Sequence, residues 1–388
     1  MRIGALVGAV PPSLATAVGI SVASHLAVYG LTPVLSLHLV ALGGTSTQVG
    51  LLFSVTSLVA VVLRPMAGAW IDRQGVRHAL LPGAALVVAA SLGLQVAAVP
   101  SALIGLMAVF GVGYGLVTMA AAVLAASAPA EQRGRALSVY YLAAPVSMSL
   151  AAPLGLWLFR AVGAHANFAL VTLLGLVAAA LSRSLRALVG GRAAPARGPA
   201  RLWSPGALPL SLVLVVAAMG QSALYAFLPL HVTASGQERH LAWFFGLYSV
   251  AMVAFRIAVS RLADRLDRAE ILMGALGFLA AGFGALIAPP TPPRLVLAAI
   301  LLAIGNSAFY PMLVALVVDR VPDRERGVAM GMVSGAWDLG IFAGSLTIAT
   351  VVAHASHGAG FAAAATLSVL ACISLVFVER GRVRLWAT

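Results

Sequence analysis

The amino-acid sequence predicts an all-α membrane protein, with twelve transmembrane helices arranged as two pseudo-symmetric six-helix bundles. Three observations carry this expectation. The 388 residues include only 24 basic and 11 acidic side chains, 9% charged, where a soluble domain carries about 25%. Charge-free runs cover the chain between Arg2 and Arg64 and the stretches Ala79 to Ala130, Leu202 to Gln237, Ile271 to Pro293 and Leu295 to Val318. Each is longer than the roughly 20 apolar residues that cross a bilayer as a helix. The arginines between these runs alternate in number from one connection to the next, as cytoplasmic and outer loops do.

Backbone groups inside lipid must bond within their own segment, so each apolar run is read as helix. Breaks rich in Gly, Pro and small polar residues divide the runs. Examples are Gly43-Gly44-Thr45-Ser46, Pro289-Pro290-Thr291-Pro292-Pro293 and His354-Ala355-Ser356-His357-Gly358. The expected spans are 13–41, 48–69, 79–98, 101–126, 136–160, 166–187, 207–233, 241–260, 271–288, 294–318, 328–352 and 359–378. Counted from a cytoplasmic N-terminus, 21 of the 24 arginines fall on the inner side, and only Arg160, Arg239 and Arg294 on the outer. This places both termini in the cytoplasm of a multi-pass protein of the cytoplasmic (inner) membrane. The apolar stretch after Arg2 runs too long for a cleavable signal.

The same composition excludes other classes. So apolar a chain is neither a cytosolic globular enzyme nor disordered. The net charge of +13 would suit a nucleic-acid partner only if it lay on one soluble face, and none is expected. All basic residues are Arg, with no Lys, which fits a GC-rich genome. The single cysteine, Cys372, excludes an internal disulfide and a multi-cysteine metal site. No cofactor or metal is expected. Without Lys there is no Walker-type loop, and Gly111, Gly113 and Gly115 follow no strand; they read as close helix packing rather than nucleotide binding.

Matching short segments recur in the two halves. Arg64 and Asp72-Arg73 return as Arg256 and Asp264-Arg265, 192 positions on; Glu131 to Ala136 returns as Arg324 to Ala329, 193 positions on; His25, Tyr29 and Pro33 return as Gln221, Tyr225 and Pro229, 196 positions on. The domains are therefore read as an N-terminal bundle over 1–187, a cytoplasmic basic linker over 188–206 and a C-terminal bundle over 207–388. The linker's Arg, Gly, Pro and Ala content suits a flexible connection.

The segment Gly68-Ala69-Trp70-Ile71-Asp72-Arg73-Gln74-Gly75-Val76-Arg77-His78, preceded by Arg64-Pro65, resembles the loop signature between spans 2 and 3 of the major facilitator superfamily. Glu131 to Arg135 is similar to that family's connection between spans 4 and 5. With the twelve-span plan, the resemblance covers essentially the whole chain, and it is nearest the bacterial efflux-type branch. It implies a secondary transporter: a small organic solute binds near the midplane between two halves that rock to alternate its access. It also implies that Arg64, Gly68, Asp72, Arg73, Gly75 and Arg77, with Asp264 and Arg265 in the second copy, form a cytoplasmic gate loop latching the halves. The alternative is an anchor that only sets topology. Asp72 is placed near a helix start, where a carboxylate favours the positive dipole end, and Gly75 at a tight reversal. The second copy has Asp267 where Gly75 aligns. The family's antiporters often carry an Arg within span 4, which is absent here, and the glycine-rich span 5 signature survives only as Ala152-Pro153-Leu154-Gly155.

Ten of the eleven acidic residues lie in loops or at helix ends; Asp338, near the middle of span 11, does not. A carboxylate at that depth costs a few kcal/mol and should face protein or a water cavity. It is read as a proton carrier or as the partner of a cationic group, with an interhelical hydrogen bond as the alternative. Four spans carry a pair at i, i+4, on one helical face: His25/Tyr29, Tyr114/Thr118, Gln221/Tyr225 and Asn306/Tyr310. The resemblance makes these the helices that line the central cavity. The eight residues, with Trp337 beside Asp338, are the expected substrate cavity, and ordinary packing is the alternative. Tyrosines offer an apolar face and a hydroxyl to an amphiphilic or aromatic solute. His25 is a second proton-coupling candidate, or a neutral His bonded to a backbone carbonyl. The expected function is proton-coupled efflux by a monomer in the lipid bilayer, with import of a small metabolite as the alternative. A membrane enzyme or receptor is the alternative of another class; no catalytic residues are assigned.

Overall fold

The computed structural model describes residues 12–127, 140, 146–147, 150–185, 204–262, 265–322 and 325–386. Within the helices, only the backbone is described at 64, 65, 69, 72, 260, 262, 327 and 381–386. The helices in chain order are α1 (Pro12–Ala41), α2 (Ser46–Gln74), α3 (Val76–Leu94), α4 (Pro100–Ala126), α5 (Leu150–Ala161), α6 (Ala164–Ser184), α7 (Leu208–Ala234), α8 (Leu241–Leu262), α9 (Arg268–Gly284), α10 (Pro292–Arg320), α11 (Arg326–His354) and α12 (His357–Trp386). Ten of them are long and apolar enough to cross a membrane. The other two are α5, whose described part is short, and the 17-residue α9.

Each boundary has a local cause. Thr45 caps α2 in a reciprocal pair with Gln48: the Thr45 Oγ1 accepts from the Gln48 N–H at 3.3 Å, and the Thr45 N–H donates to Gln48 Oε1 at 2.9 Å. Pro100 and Pro292 open α4 and α10, where a missing N–H leaves no bond unmade. Asp267 caps α9, accepting from the Ala269 N–H at 2.6 Å. α2 ends at Gln74, five residues beyond the expected span, and α12 at Trp386, eight beyond. The helical ladder continues past the apolar stretch once charged side chains reach water.

That extension corrects the reading of Asp72. Only Gly75, at φ +89°, separates α2 from α3. Asp72 therefore lies in the last turn of α2, not at a helix start, and the favourable dipole argument does not apply to its own helix.

The two halves pack by one scheme. α3 lies on α4 and α6, α2 on α4, and α1 on α6; likewise α9 lies on α10 and α12, α8 on α10, and α7 on α12. Atomic contacts repeat with it. A Cβ at Gly113 would sit 2.5 Å from the Gly83 carbonyl oxygen, and one at Gly305 2.9 Å from that of Ala275, both residues 192 positions on. Ser147 donates to the Val22 carbonyl at 3.3 Å; a Cβ at Gly340 would meet the Val215 carbonyl oxygen at 2.6 Å, both 193 positions on. The match of His25, Tyr29 and Pro33 to Gln221, Tyr225 and Pro229 is three residues out of step with these contacts, so it is not a structural equivalence. Residues three apart share a helix face, which is why the pattern looked repeated.

Lipid gives no hydrophobic drive between helices, so close approach at small residues holds them together. Gly111 and Gly113 serve this way, against Thr56 of α2 and Gly83 of α3, whereas nothing approaches Gly115. Gly113→Val should force α3 and α4 apart and cost roughly 1–3 kcal/mol, as overpacking does. A thermal melt in detergent at the wild-type midpoint would count against this packing role.

At one end of the bundle lie the connections with few arginines (42–45, 235–240, 285–291 and 355–356), here the Arg-poor end. The halves meet in that part. Ser54 of α2 donates to the Phe342 carbonyl of α11 at 3.0 Å, and Arg160 Nη1 to the Arg239 carbonyl at 3.1 Å. At the opposite, Arg-rich end, Arg268 pairs with Asp319 and Arg320 with Glu379, tying α9, α10 and α12 together.

Candidate functional site

An aromatic cluster lies where the two halves face each other. In α1, the His25 ring stacks on Tyr29 at 6.1 Å between centroids and meets Tyr114 of α4 edge-on at 5.8 Å. Phe110 stacks one turn before Tyr114. Tyr29 crosses to the second half, with its ring 5.9 Å from that of Tyr225 in α7. The Tyr225 and Tyr248 hydroxyls are 3.4 Å apart, and the side chain of Asn306 lies close to Tyr248. Trp337 of α11 meets Tyr310 edge-on at 5.5 Å and tilts over Phe309 at 6.5 Å. Asp338, half-buried, lies within electrostatic range of Tyr29, as do Tyr310 and Tyr248. Five of the seven tyrosines thus gather in one place.

Local structure aims Tyr225 at its partner. α7 widens into a π turn over Ala223–Phe227, in which the Leu228 N–H bonds the Ala223 carbonyl five residues back. Pro229 follows and has no N–H to offer, which loosens the ladder just there. Such turns are frequent at functional positions.

Of the expected cavity residues, the structure brings together His25, Tyr29, Tyr114, Tyr225, Asn306, Tyr310, Trp337 and Asp338. Two stand apart. The Thr118 hydroxyl bonds the Tyr114 carbonyl in its own helix at 2.8 Å, and its backbone carbonyl accepts from Tyr140 at 2.8 Å. Gln221 is fully buried in α7, and neither atom of its side-chain amide has a partner. His25 donates from Nδ1 to the Ser21 carbonyl at 2.7 Å, a bond that the neutral and the charged ring can both make.

Two members escaped the sequence pattern. Tyr248 has Phe244 and Met252 at i−4 and i+4, so it forms no polar pair; its being the only Tyr of α8 was the available signal. Arg256 is half-buried and within electrostatic range of Tyr248. The sequence marks it only as the second copy of Arg64.

At the Arg-rich end, Arg73 is exposed in the last turn of α2. Arg77 is half-buried in the first turn of α3, and its buried Nε has no partner among the described residues. A Cβ at Gly68 would touch the Met119 methyl at 3.0 Å. Arg265 is exposed. The side chains of Arg64 and Asp72, and the whole of Asp264 and of Glu131 to Arg135, lie outside what the structure describes.

Comparison with known proteins gives one consistent picture. The family model described as Major Facilitator Superfamily matches residues 17–238 and 210–386. A curated protein of Salmonella typhimurium, an uncharacterized MFS-type transporter, is 28% identical over 225 residues. That match spans 55% of this chain and 56% of the relative, just over half its length. Among solved structures, the peptide transporter POT superposes with a TM-score of 0.77 at 14% identity, covering 96% of this chain and 95% of that one. The nucleoside transporter NupG gives 0.72 at 13%, covering 94% and 98%. A human organic anion transporter gives 0.71 at 19%, covering 94% and 99%. At such identities the likeness is one of fold.

Proposed function

This chain belongs to the major facilitator superfamily of membrane transporters, and from that premise we propose that it exports a small aromatic or amphiphilic solute by alternating access, in exchange for protons. The Arg-rich end faces the cytoplasm with both termini, in the inner membrane. The bundles 1–187 and 207–388 rock about the cluster, joined by the linker 188–206, and the protein works as a monomer. Arg64 to Arg77, with Asp264 and Arg265, latch the inner side. In this frame the structure is the state closed to the outside.

The observation that carries the reading is the position of Asp338. It is the one carboxylate within a span, set in α11 of one half and within electrostatic range of Tyr29 in α1 of the other. A proton neutralises it; a cationic or hydrogen-bonding group of the solute displaces that proton. Binding and protonation then compete for one group, which is what exchange requires. The tyrosine rings supply apolar faces and, for a cation, the negative face of a π-system.

The test is flux in proteoliposomes of known orientation, against a panel of aromatic amines and neutral aromatic solutes, with and without an imposed pH gradient. Acid on the Arg-poor side should drive the solute toward it. Flux that ignores the gradient removes proton coupling, and flux running with the proton makes the protein an importer.

A further inference from the structure

Four of the eight histidines form two pairs that the repeat places in corresponding positions. His38 and His231 are 193 positions apart, His165 and His357 192, and Phe168 and Phe361 193. His38 and His231 each stand three residues before the end of α1 and of α7; His165 and His357 open α6 and α12. All four lie at the Arg-poor end, away from the central cluster.

The surroundings repeat as well. In the first half, the His38 and His165 rings both stand edge-on to Phe168, at 5.3 and 6.4 Å, and His165 is within electrostatic range of His38. His165 Nδ1 donates to Gln95 Oε1 at 3.1 Å, and Gln95 Nε2 returns a bond to the His165 carbonyl at 3.1 Å, so the end of α3 joins the group. In the second half, His231 stacks on His357 at 5.8 Å and lies 5.1 Å from Phe361. His231 Nε2 donates to the Leu286 carbonyl at 3.0 Å, just past the end of α9. In the second half the pair fastens α7 to α12 and to the segment just past α9; in the first, His38 packs α1 onto α6, and His165 ties α6 to the end of α3.

The facing titratable groups are the histidines themselves, from α6 and α12; α3 and α9 contribute an amide and a carbonyl. Among the described residues, the other titratable groups of this end are placed elsewhere. Arg160, at the end of α5, lies with Glu238 and Arg239. Arg294 bonds the Pro289 carbonyl at 3.0 Å, and His354 the Thr350 carbonyl at 2.9 Å. His240 has its Nδ1 buried without a partner.

We infer that the two histidine pairs are a duplicated proton-binding site through which acid at the Arg-poor end loosens α1 from α6 and α7 from α12, releasing the closed end of the bundle. The sign follows from the packing. His231 is buried against Phe361 and His357, so a proton on it brings charge into a largely apolar contact that the nearby Leu286 and Ala288 carbonyls relieve only in part. The His231 and His357 rings, 5.8 Å apart, repel each other once both are charged; in the first half His165 is exposed, so water screens its repulsion of His38 more strongly. The packed arrangement holds the neutral pair, and protonation favours whatever separates it. The inference rests on the proposed alternating access only for its consequence, that external acid promotes outward opening.

Pulsed dipolar spectroscopy on the full-length protein in nanodiscs tests it. Spin labels go on Ser101→Cys and Thr291→Cys, exposed positions at the Arg-poor end of opposite halves, in a Cys372→Ser background. Lowering the pH from about 7.5 to about 5, across the ordinary range of histidine, should lengthen the mean distance. The shift should vanish when His165→Gln and His357→Gln are combined, and fall to about half in either alone; the single variants decide the matter if the double one does not fold. Asp338→Asn should keep the shift. No shift in the wild type, or one that survives the histidine changes and disappears in Asp338→Asn, overturns the inference. Neither result bears on whether a pH gradient drives flux.

Discussion

Asp338→Asn is expected to abolish the response of transport to a pH gradient while leaving a folded, inserted protein. Asparagine keeps the shape and the hydrogen-bonding capacity of the side chain but takes up no proton. If the carboxylate acts in the coupled step, gradient-driven flux should fall roughly tenfold to a hundredfold, the worth of one hydrogen bond to a charged group. Exchange of labelled for unlabelled solute at equal pH on both sides needs no net proton movement, so it should persist in the variant for a neutral solute that hydrogen-bonds the side chain, and weaken for a cationic one. The two measurements together separate the roles. Loss of gradient-driven flux with exchange retained assigns Asp338 to coupling. Wild-type flux under the gradient would sink that role. Loss of both, with a lowered melting temperature, would mean that the side chain mainly bonds neighbouring helices, as polar groups in membranes often do.

The fold was legible because the membrane writes it into composition. A span must be apolar for its whole length, so the charge-free runs mark helices directly, and the asymmetry of arginine marks their order. The ends were less legible. At Gln74 and Trp386 the helix outlasts the apolar stretch, and hydropathy cannot see a helix that has left the lipid. That is also why Asp72 moved from a supposed loop into α2. Within the site, the i, i+4 rule found residues that share a face with a polar neighbour and missed Tyr248, whose partner Tyr225 comes from another helix. Contacts across the half interface are a matter of tertiary arrangement. The rule also admitted Thr118, since helical spacing cannot tell a hydroxyl aimed at a cavity from one turned back on its own carbonyl. The histidine pairs share the 192–193 offset that Arg64 and Glu131 already show, but which helix ends they join is a matter of tertiary arrangement.

Gly50→Val should hold the Arg-poor end open and stop turnover. Gly50 lies in α2 against α11 of the other half. A Cβ there would sit 2.3 Å from the Ala349 Cβ and 2.6 Å from the Ser345 carbonyl oxygen. One contact is with backbone, which cannot swing aside, so the helices must separate. Both atoms belong to the opposite bundle, so the strain falls on the closed interface rather than on the fold of either half. Overpacking of this kind costs roughly 1–3 kcal/mol. Applied to one state of a two-state cycle, that shifts the balance about tenfold to a hundredfold toward the other. Gly50→Ala should show a smaller version of the same loss. Pairing it with Ala349→Gly removes the nearest clashing atom and should restore part of the flux, which a misfolded protein would not recover. Labels at the Arg-poor ends of the two halves should report a longer distance in the valine variant at neutral pH, with the melting temperature little changed. Wild-type flux in Gly50→Val, or a distance unchanged from the closed structure, would show that this contact does not govern access.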